Sequence, residues 1–282
     1  MTKKSDSIAK YRKSDWFRNE ARVRAPGGRP PEGDYALDTA VSYDCLPYSY
    51  AKRVPYEVRE NADNPLRPDN EAIEFVTDKI LLAREKRVAD ALFNATTFAS
   101  YTATAAGLSG GGAVAWSTYA TSEPIKDINI MRHNVRQQIG RFANTIVIGG
   151  TVWEQLENHP DFMDRVKYTQ LGILTTDLFG RITNLPRVFI GTAIYSNTAE
   201  DITFSSSDIW GNFVLVCYVA PTPSLLNPSL GYTLRWTNMG NGRSVERYEL
   251  DEGRKSTLYV CEEHTDEIIS AEDAGYLLTS VV

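Results

Sequence analysis

Cysteine is scarce in this 282-residue chain: Cys45, Cys217 and Cys261 stand far apart, with no CxxC pair. That spacing excludes a paired-cysteine zinc knuckle and an even-numbered disulfide framework, and it predicts reduced, buried or half-buried thiols. Apolar runs of roughly eighteen residues are missing too, and no apolar segment follows the lysines of MTKKSDSIAKYRKSD. Neither a membrane span nor a secretory signal is expected, so the chain reads as soluble and cytoplasmically made. Histidine is limited to His133, His159 and His264, none spaced as metal ligands are. Capping or surface roles are expected for them, with no metal and no cofactor. No internal repeat of roughly twenty to fifty residues is apparent.

What is present is 42% hydrophobic content, enough for a real core in one large or two smaller domains. Charge is divided unevenly. Residues 1 to 29 hold nine of the 30 basic residues and three of the 36 acidic ones, so this arm carries +6 and the rest −12. A basic tail on an acidic body fits a nucleic-acid contact, an arm that clamps onto the acidic face of a neighbouring copy, or a solvated terminus. The acidic body itself would grip phosphates poorly.

Seven of the thirteen prolines fall in the first 68 residues, which therefore cannot be mostly helical. Tyr35, Leu37, Thr39, Val41 and Tyr43 alternate with polar or small residues, the period of a half-buried strand. After Cys45-Leu46-Pro47 a second run places Tyr48, Tyr50, Val54, Tyr56 and Val58 on one face and Ser49, Ala51, Arg53, Glu57 and Arg59 on the other. Together they predict a long hairpin whose tyrosine face, unstable alone in water, would lie on another subunit. Replacing Tyr48, Tyr50 and Tyr56 with Ala would then spare monomer folding and abolish assembly.

Asp69 to Asn94 predicts a helix about 39 Å long, N-capped by Asp69 or Asn70. Ile73, Val76, Ile80 and Ala83 lie on one side of it and Phe75, Leu82, Ala89 and Phe93 on the other, the pattern of a sandwiched helix. Residues 95 to 115 are small and Gly-rich, as in a flexible loop. Further on, an α+β rhythm is expected. Helices run from Ser122 to Gln138, from a Thr151/Glu154 capping box, from Asp161 to Tyr168 and from Thr169 to Phe179, the last stopped by Gly180. Strands are expected at 144–148, 187–195, 213–220, 232–237, 244–250 and 257–263. Trp153 and Trp236 read as core. Trp16 and Phe17, in the basic arm, read as docking residues for a neighbour.

Chemistry is thinly signalled. Gly107-Leu108-Ser109-Gly110-Gly111 fits the GxSxG nucleophile pattern and makes a serine hydrolase around Ser109 one alternative, but the flanks TATAA and GGAVA are not the strand and helix that such an elbow needs. Asn94-Ala95-Thr96 is a glycosylation sequon by letter only. Glu262, Glu263, Asp266 and Glu267 have no evident basic partner and read as a solvated or inter-subunit charged edge rather than catalytic carboxylates. No enzyme is expected. A single-stranded nucleic-acid binder using the basic arm is a further alternative.

The stretch NTIVIGGTVWEQLENHPDFMDRVKYTQLGILTTDLFG, with Trp116, Glu123-Pro124-Ile125-Lys126-Asp127, Gly191-Thr192-Ala193-Ile194-Tyr195, Ile209-Trp210-Gly211 and Ser229-Leu230-Gly231-Tyr232, resembles the tailed-bacteriophage major capsid proteins of the Hong Kong 97-like fold. The local resemblance covers Trp116 to Trp236; before that it is one of layout. It implies an N-terminal arm (1–33), an extended hairpin loop (34–68), a peripheral domain (69–124 and 241–282, spine helix 69–94) and an axial domain (125–240).

It also implies hexamers and pentamers of the chain itself, assembled in the host bacterial cytoplasm into a virion capsid around double-stranded DNA held by non-specific contact. Scaffolding, portal and decoration proteins would be the other partners, and no membrane is involved. No long coiled N-terminal extension of the kind some members use as an internal scaffold is expected, so any scaffold would be a separate protein or already removed. Trp16, Phe17, Tyr35, Tyr43, Tyr48, Tyr50, Lys52, Arg53 and Tyr56 are the expected inter-subunit contacts. Lys52 is the candidate for the Lys–Asn cross-link that some members form. An encapsulin-like compartment shell is the alternative on the same fold.

Overall fold

The computed structural model describes residues 1–108, 115–167, 173–198, 203–223, 227–238, 243–250, 253 and 255–282. The first part of the chain forms β1 (Ser5–Tyr11), α1 (Lys13–Phe17), β2 (Leu37–Asp44), β3 (Leu46–Pro55), α2 (Tyr56–Glu60) and α3 (Pro68–Leu92). There follow β4 (Thr102–Thr104), α4 (Ala105–Leu108), α5 (Pro124–Ile139), β5 (Thr145–Gly149), α6 (Gly150–Glu157), α7 (Pro160–Val166) and α8 (Thr176–Thr183). The last part holds β6 (Arg187–Gly191), β7 (Ile194–Tyr195), β8 (Ser207–Asp208), β9 (Phe213–Cys217), β10 (Gly231–Arg235), β11 (Arg243–Leu250), β12 (Ser256–Ile269) and β13 (Gly275–Thr279).

The long helix α3 starts at Pro68, whose fixed φ suits the first helical position, one residue before the expected start, and Asp69 and Glu71 complement the dipole of the first turn. No side chain caps it. It lies along β12, the central strand of a four-stranded sheet in which β3 pairs with residues 256–265 along one edge, β11 with 256–263 along the other, and β10 with 265–269. Helix and strand run in step. Ala72 packs at Tyr259, and Val76 and Ile80 at Cys261. Beyond them Arg84 meets Glu263, and Arg87 meets Thr265 and Glu267. A single face of α3 is therefore buried. Phe75 remains 39% exposed and Ile73 is exposed beside it, so within one chain the helix is laid on a sheet and not sandwiched.

The second unit is a mixed five-stranded sheet, ordered β4-β13-β9-β5-β6, with β4/β13 and β5/β6 parallel. The apolar positions of α5, from Ile125 through Ile128, Met131 and Val135 to Ile139, recur at helical spacing and face Ile146, Ile148, Val214 and Val216 in the main core, with α6 to α8 around them. Gly140, with φ +70°, ends α5 in the left-handed conformation that glycine adopts without a steric penalty. The opposite sheet face carries a smaller core of Phe98, Val147, Leu215, Cys217, Leu230 and Leu277, against which Leu92 and Phe93 at the end of α3 pack.

Several expectations are corrected. The 35–44 and 48–59 runs do not form a hairpin: β2 pairs with β1, and β3 with β12. Only Cys45 separates them, and Cys45-Leu46-Pro47 lacks the Gly or Asn that a tight reversal requires, so the chain runs on and changes partner. The second run ends at Pro55, and Tyr56 opens a short helix. The capping box at Thr151 is absent, since α6 begins at Gly150. Gly180 lies inside α8, where a Cβ would sit 2.7 Å from the Leu185 carbonyl oxygen; the stop is Asn184, with φ 56°.

The sheets also divide the chain differently from the 125–240 boundary. Residues 102–104 and 275–279 join the five-stranded sheet, while 231–235 join the four-stranded one. Among the described residues no helix is long and apolar enough to cross a membrane.

Candidate assembly surface

The arm leaves the body from an anchored start. The Met1 ammonium donates to the Arg235 carbonyl (2.7 Å), the Thr237 N–H to the Met1 carbonyl (3.0 Å), and the Trp236 indole to the Thr2 carbonyl (3.2 Å). After β1, the short helix α1 rests on the end of α5. Lys13 donates to Gln138 (3.1 Å) and Asp273 (2.9 Å), and a Cβ at Gly140 would meet the edge of Phe17 at 3.0 Å. Residues 18–35 are then exposed throughout. The Ala36 N–H, back at the start of β2, donates to Asp15 (3.0 Å), and this bond is the first cause holding the Asp15 carboxyl below its ordinary value.

The nine expected contact residues separate into two groups. Trp16 (55% exposed), Phe17 (62%) and Tyr35 (60%) present aromatic surface along the arm, the Trp16 and Tyr35 rings 6.2 Å apart. Arg53 and Lys52 are exposed on β3, although the Lys52 ammonium lies over the Phe75 ring of α3, 4.9 Å from its centroid. Tyr50 is 42% exposed and leans on the same ring at 5.9 Å.

Tyr43 is buried with Cys45, Leu234 and Ile268, and so cannot be a contact of the kind expected. Tyr48 packs against Val76, Ile80 and Cys261 with Arg87 stacked on it at 3.5 Å, and Tyr56 is half-buried with Arg59 over its ring. The tyrosine face therefore lies on the chain's own α3, where another subunit was expected, because β3 is hydrogen-bonded into the sheet that α3 covers.

The acidic run on β12 also finds partners that the sequence reading missed. Period-two alternation turns Glu263 and Glu267 toward α3, where Arg84 and Arg87 meet them at 2.9 and 3.2 Å. The signal was there in Arg84 and Arg87, one helical turn apart, and Glu263 and Glu267, on one strand face. His264 is buried, 3.0 Å from Glu262 and edge-on to Trp236, which corrects its surface assignment. Near the base of α3, burial works to raise the Asp69 carboxyl, but donation from Arg59 and Tyr259 outweighs it and holds the group low. His159 does cap α7, as expected of it. Ser109 lies outside the described residues, and the segment before it is the helix α4, not the strand of a nucleophile elbow. No group of three potential metal ligands occurs among the described residues.

No family model matches the sequence. Over 296 residues it is 29% identical to the major capsid protein of Burkholderia phage BcepMu, covering all of this chain and 88% of that one. The crystal structure of a phage-related protein from Bordetella bronchiseptica superposes with a TM-score of 0.74 at 24% identity, over 100% of this chain and 88% of the other. The mature capsid of bacteriophage PhiM1 gives 0.55 at 11% (98% and 82% covered), and the encapsulin complex of Synechococcus elongatus 0.54 at 13% (100% and 83%).

The basic exposed arm, the long helix on its sheet and the second mixed sheet thus make up the Hong Kong 97-like capsid fold, of α+β class. In sequence, over its whole length, the chain is similar to the major capsid protein of a phage.

Proposed function

We propose that the chain assembles into hexamers and pentamers that close an icosahedral phage head around double-stranded DNA, in a structural role without catalysis. The observation that carries this reading is the arm. Its aromatic residues Trp16 and Phe17 stay exposed on the +6 segment of residues 1 to 29, with Tyr35 exposed just beyond it, while the body is acidic, a distribution suited to a second copy. Many weak contacts of this kind, repeated round a closed shell, add up to a stable particle. The α3–β12 unit would be the peripheral domain and the five-stranded sheet with α5 to α8 the axial one. Assembly would take place in the bacterial cytoplasm, with portal, scaffolding and decoration proteins as further partners and DNA held through non-specific charge contacts.

Electron microscopy of the protein expressed alone, and with its neighbouring genes, tests this reading. Closed shells are expected, with DNA inside when packaging functions are present. Replacing Trp16 and Tyr35 together with Ala should leave a folded monomer and no shells; normal shells from that variant would remove the arm from the mechanism. The likeness to an encapsulin complex supports one other reading, a compartment shell, for which a protein cargo in place of DNA would copurify with the particles.

A further inference from the structure

The strand partners keep the two sheets separate, yet side chains at the end of α3 tie them together, with Trp210 at their centre. Trp210, in the turn before β9, donates its indole N–H to Oε1 of Glu85 on α3 (2.7 Å). Its ring meets Phe93, just past the end of the same helix, edge-on at 5.5 Å, and Phe93 stacks on Phe213 of β9 at 5.1 Å. The seat beneath it is made of paired glycines, Gly149 of β5 opposite Gly191 of β6. A Cβ at Gly191 would lie 2.1 Å from Cγ of Trp210, and one at Gly149 would lie 1.8 Å from the Gly211 carbonyl oxygen. The turn can approach the sheet this closely only because both positions lack a side chain.

Phe93 lies eight residues beyond Glu85, at the C-cap of α3 and about 12 Å along its axis. An apolar contact at one end of a helix lets it pivot. A second, directional bond about two turns away removes that freedom.

We propose that Trp210 is a positioning residue, the joint that sets the angle between the α3–β12 unit and the five-stranded sheet. On the capsid reading proposed above, it thereby sets the curvature of the shell. Trp210→Phe keeps the ring on its glycine seat and removes the donor, while Glu85→Gln keeps an oxygen acceptor.

The angle is read on the protein in solution by electron–electron distance measurement between spin labels at Glu74→Cys and Asp177→Cys, both exposed positions, one on α3 and one on α8. The three native thiols are buried and would not compete. A single narrow distance is expected for the parent and for Glu85→Gln, and a broadened or shifted one for Trp210→Phe. Shell diameters by electron microscopy should follow the same order, with the single diameter lost only in Trp210→Phe. Should that variant not fold, Glu85→Met removes the acceptor at a half-buried helix position and is read in the same way.

An unchanged label distance in Trp210→Phe, or in Glu85→Met if that replaces it, overturns the joint. A changed distance with unchanged diameters overturns its link to curvature. If the parent forms no shells at all, the capsid reading falls, and the label distances alone still decide the joint.

Discussion

Arg84 on α3 donates at 2.9 Å to Glu263 on β12, a carboxylate with no exposed surface. The nearest other cation, Arg235, stands at 3.8 Å. Removing Arg84 strands a buried charge, which costs more than the pair contributes when intact. Arg84→Met should therefore lower stability by about 2–4 kcal/mol. Glu263→Gln, which removes the charge itself, should cost clearly less. Urea unfolding with an unchanged m-value is the measurement, and equal losses in the two variants would show that packing, and not the stranded charge, sets the cost.

Arg87 lies 3.5 Å from the Tyr48 ring centroid, and the ring also packs on Val76 and Ile80. Tyr48→Ala should destabilise the monomer by about 2–3 kcal/mol through lost packing and a lost cation–π contact. Trp16→Ala and Tyr35→Ala, on the exposed arm, should each stay within about 0.5 kcal/mol of the parent. The triple tyrosine replacement thus tests folding before it tests assembly, contrary to the expectation from sequence. Thermal melts of the three single variants separate these effects; a loss from Trp16→Ala as large as that from Tyr48→Ala would place the arm in the monomer's own core.

The elements that could be read from sequence are those whose cause is local. Pro68, Asp69 and Glu71, followed by a run without Gly or Pro, specify α3, and the helical spacing from Ile125 to Ile139 specifies α5. What could not be read was partnership. Period two gave the faces of β3 but not that α3 of the same chain would cover one of them. The same limit hid the split of the β12 acids, with Glu263 and Glu267 turned to the helix. Gly180 looked like a helix stop because glycine often is one; here the missing Cβ is needed for the Leu185 carbonyl, a tertiary demand. Among the candidate contacts, exposure in the arm followed from its charge and prolines, whereas Tyr43 turned inward beside Cys45.

All three thiols are buried. Burial alone pushes Cys217 up to about 12, and Cys45 and Cys261 are raised mainly by the same cause. Since the thiolate is the reactive form, the native protein should show no titratable thiol with an aromatic disulfide reagent at pH 8, and all three on unfolding. Fast labelling of one cysteine in native buffer would show that its element opens.

His159 is buried with both ring nitrogens engaged: Nδ1 accepts the Asp161 N–H at 3.1 Å, and Nε2 lies 2.8 Å from Ser122 Oγ, which itself donates to the Thr118 carbonyl. With Nδ1 as acceptor the proton sits on Nε2, so the neutral ring both caps α7 and holds the segment before α5. Burial, opposed only in part by Asp161, keeps this imidazole below its ordinary value of 6.5. In the unfolded chain the ring takes up a proton first as pH falls. The histidine's contribution is therefore complete above the ordinary value and is lost progressively below it, with a slope of at most about 1.4 kcal/mol per pH unit. His159→Asn keeps an acceptor for the cap and does not titrate. The stability difference between parent and variant, measured by urea unfolding from pH 8 to 5, should favour the parent most at high pH and narrow steadily below about pH 6.5. A difference that stays constant across that range would mean that His159 is charged, or accessible to protons, in the folded state.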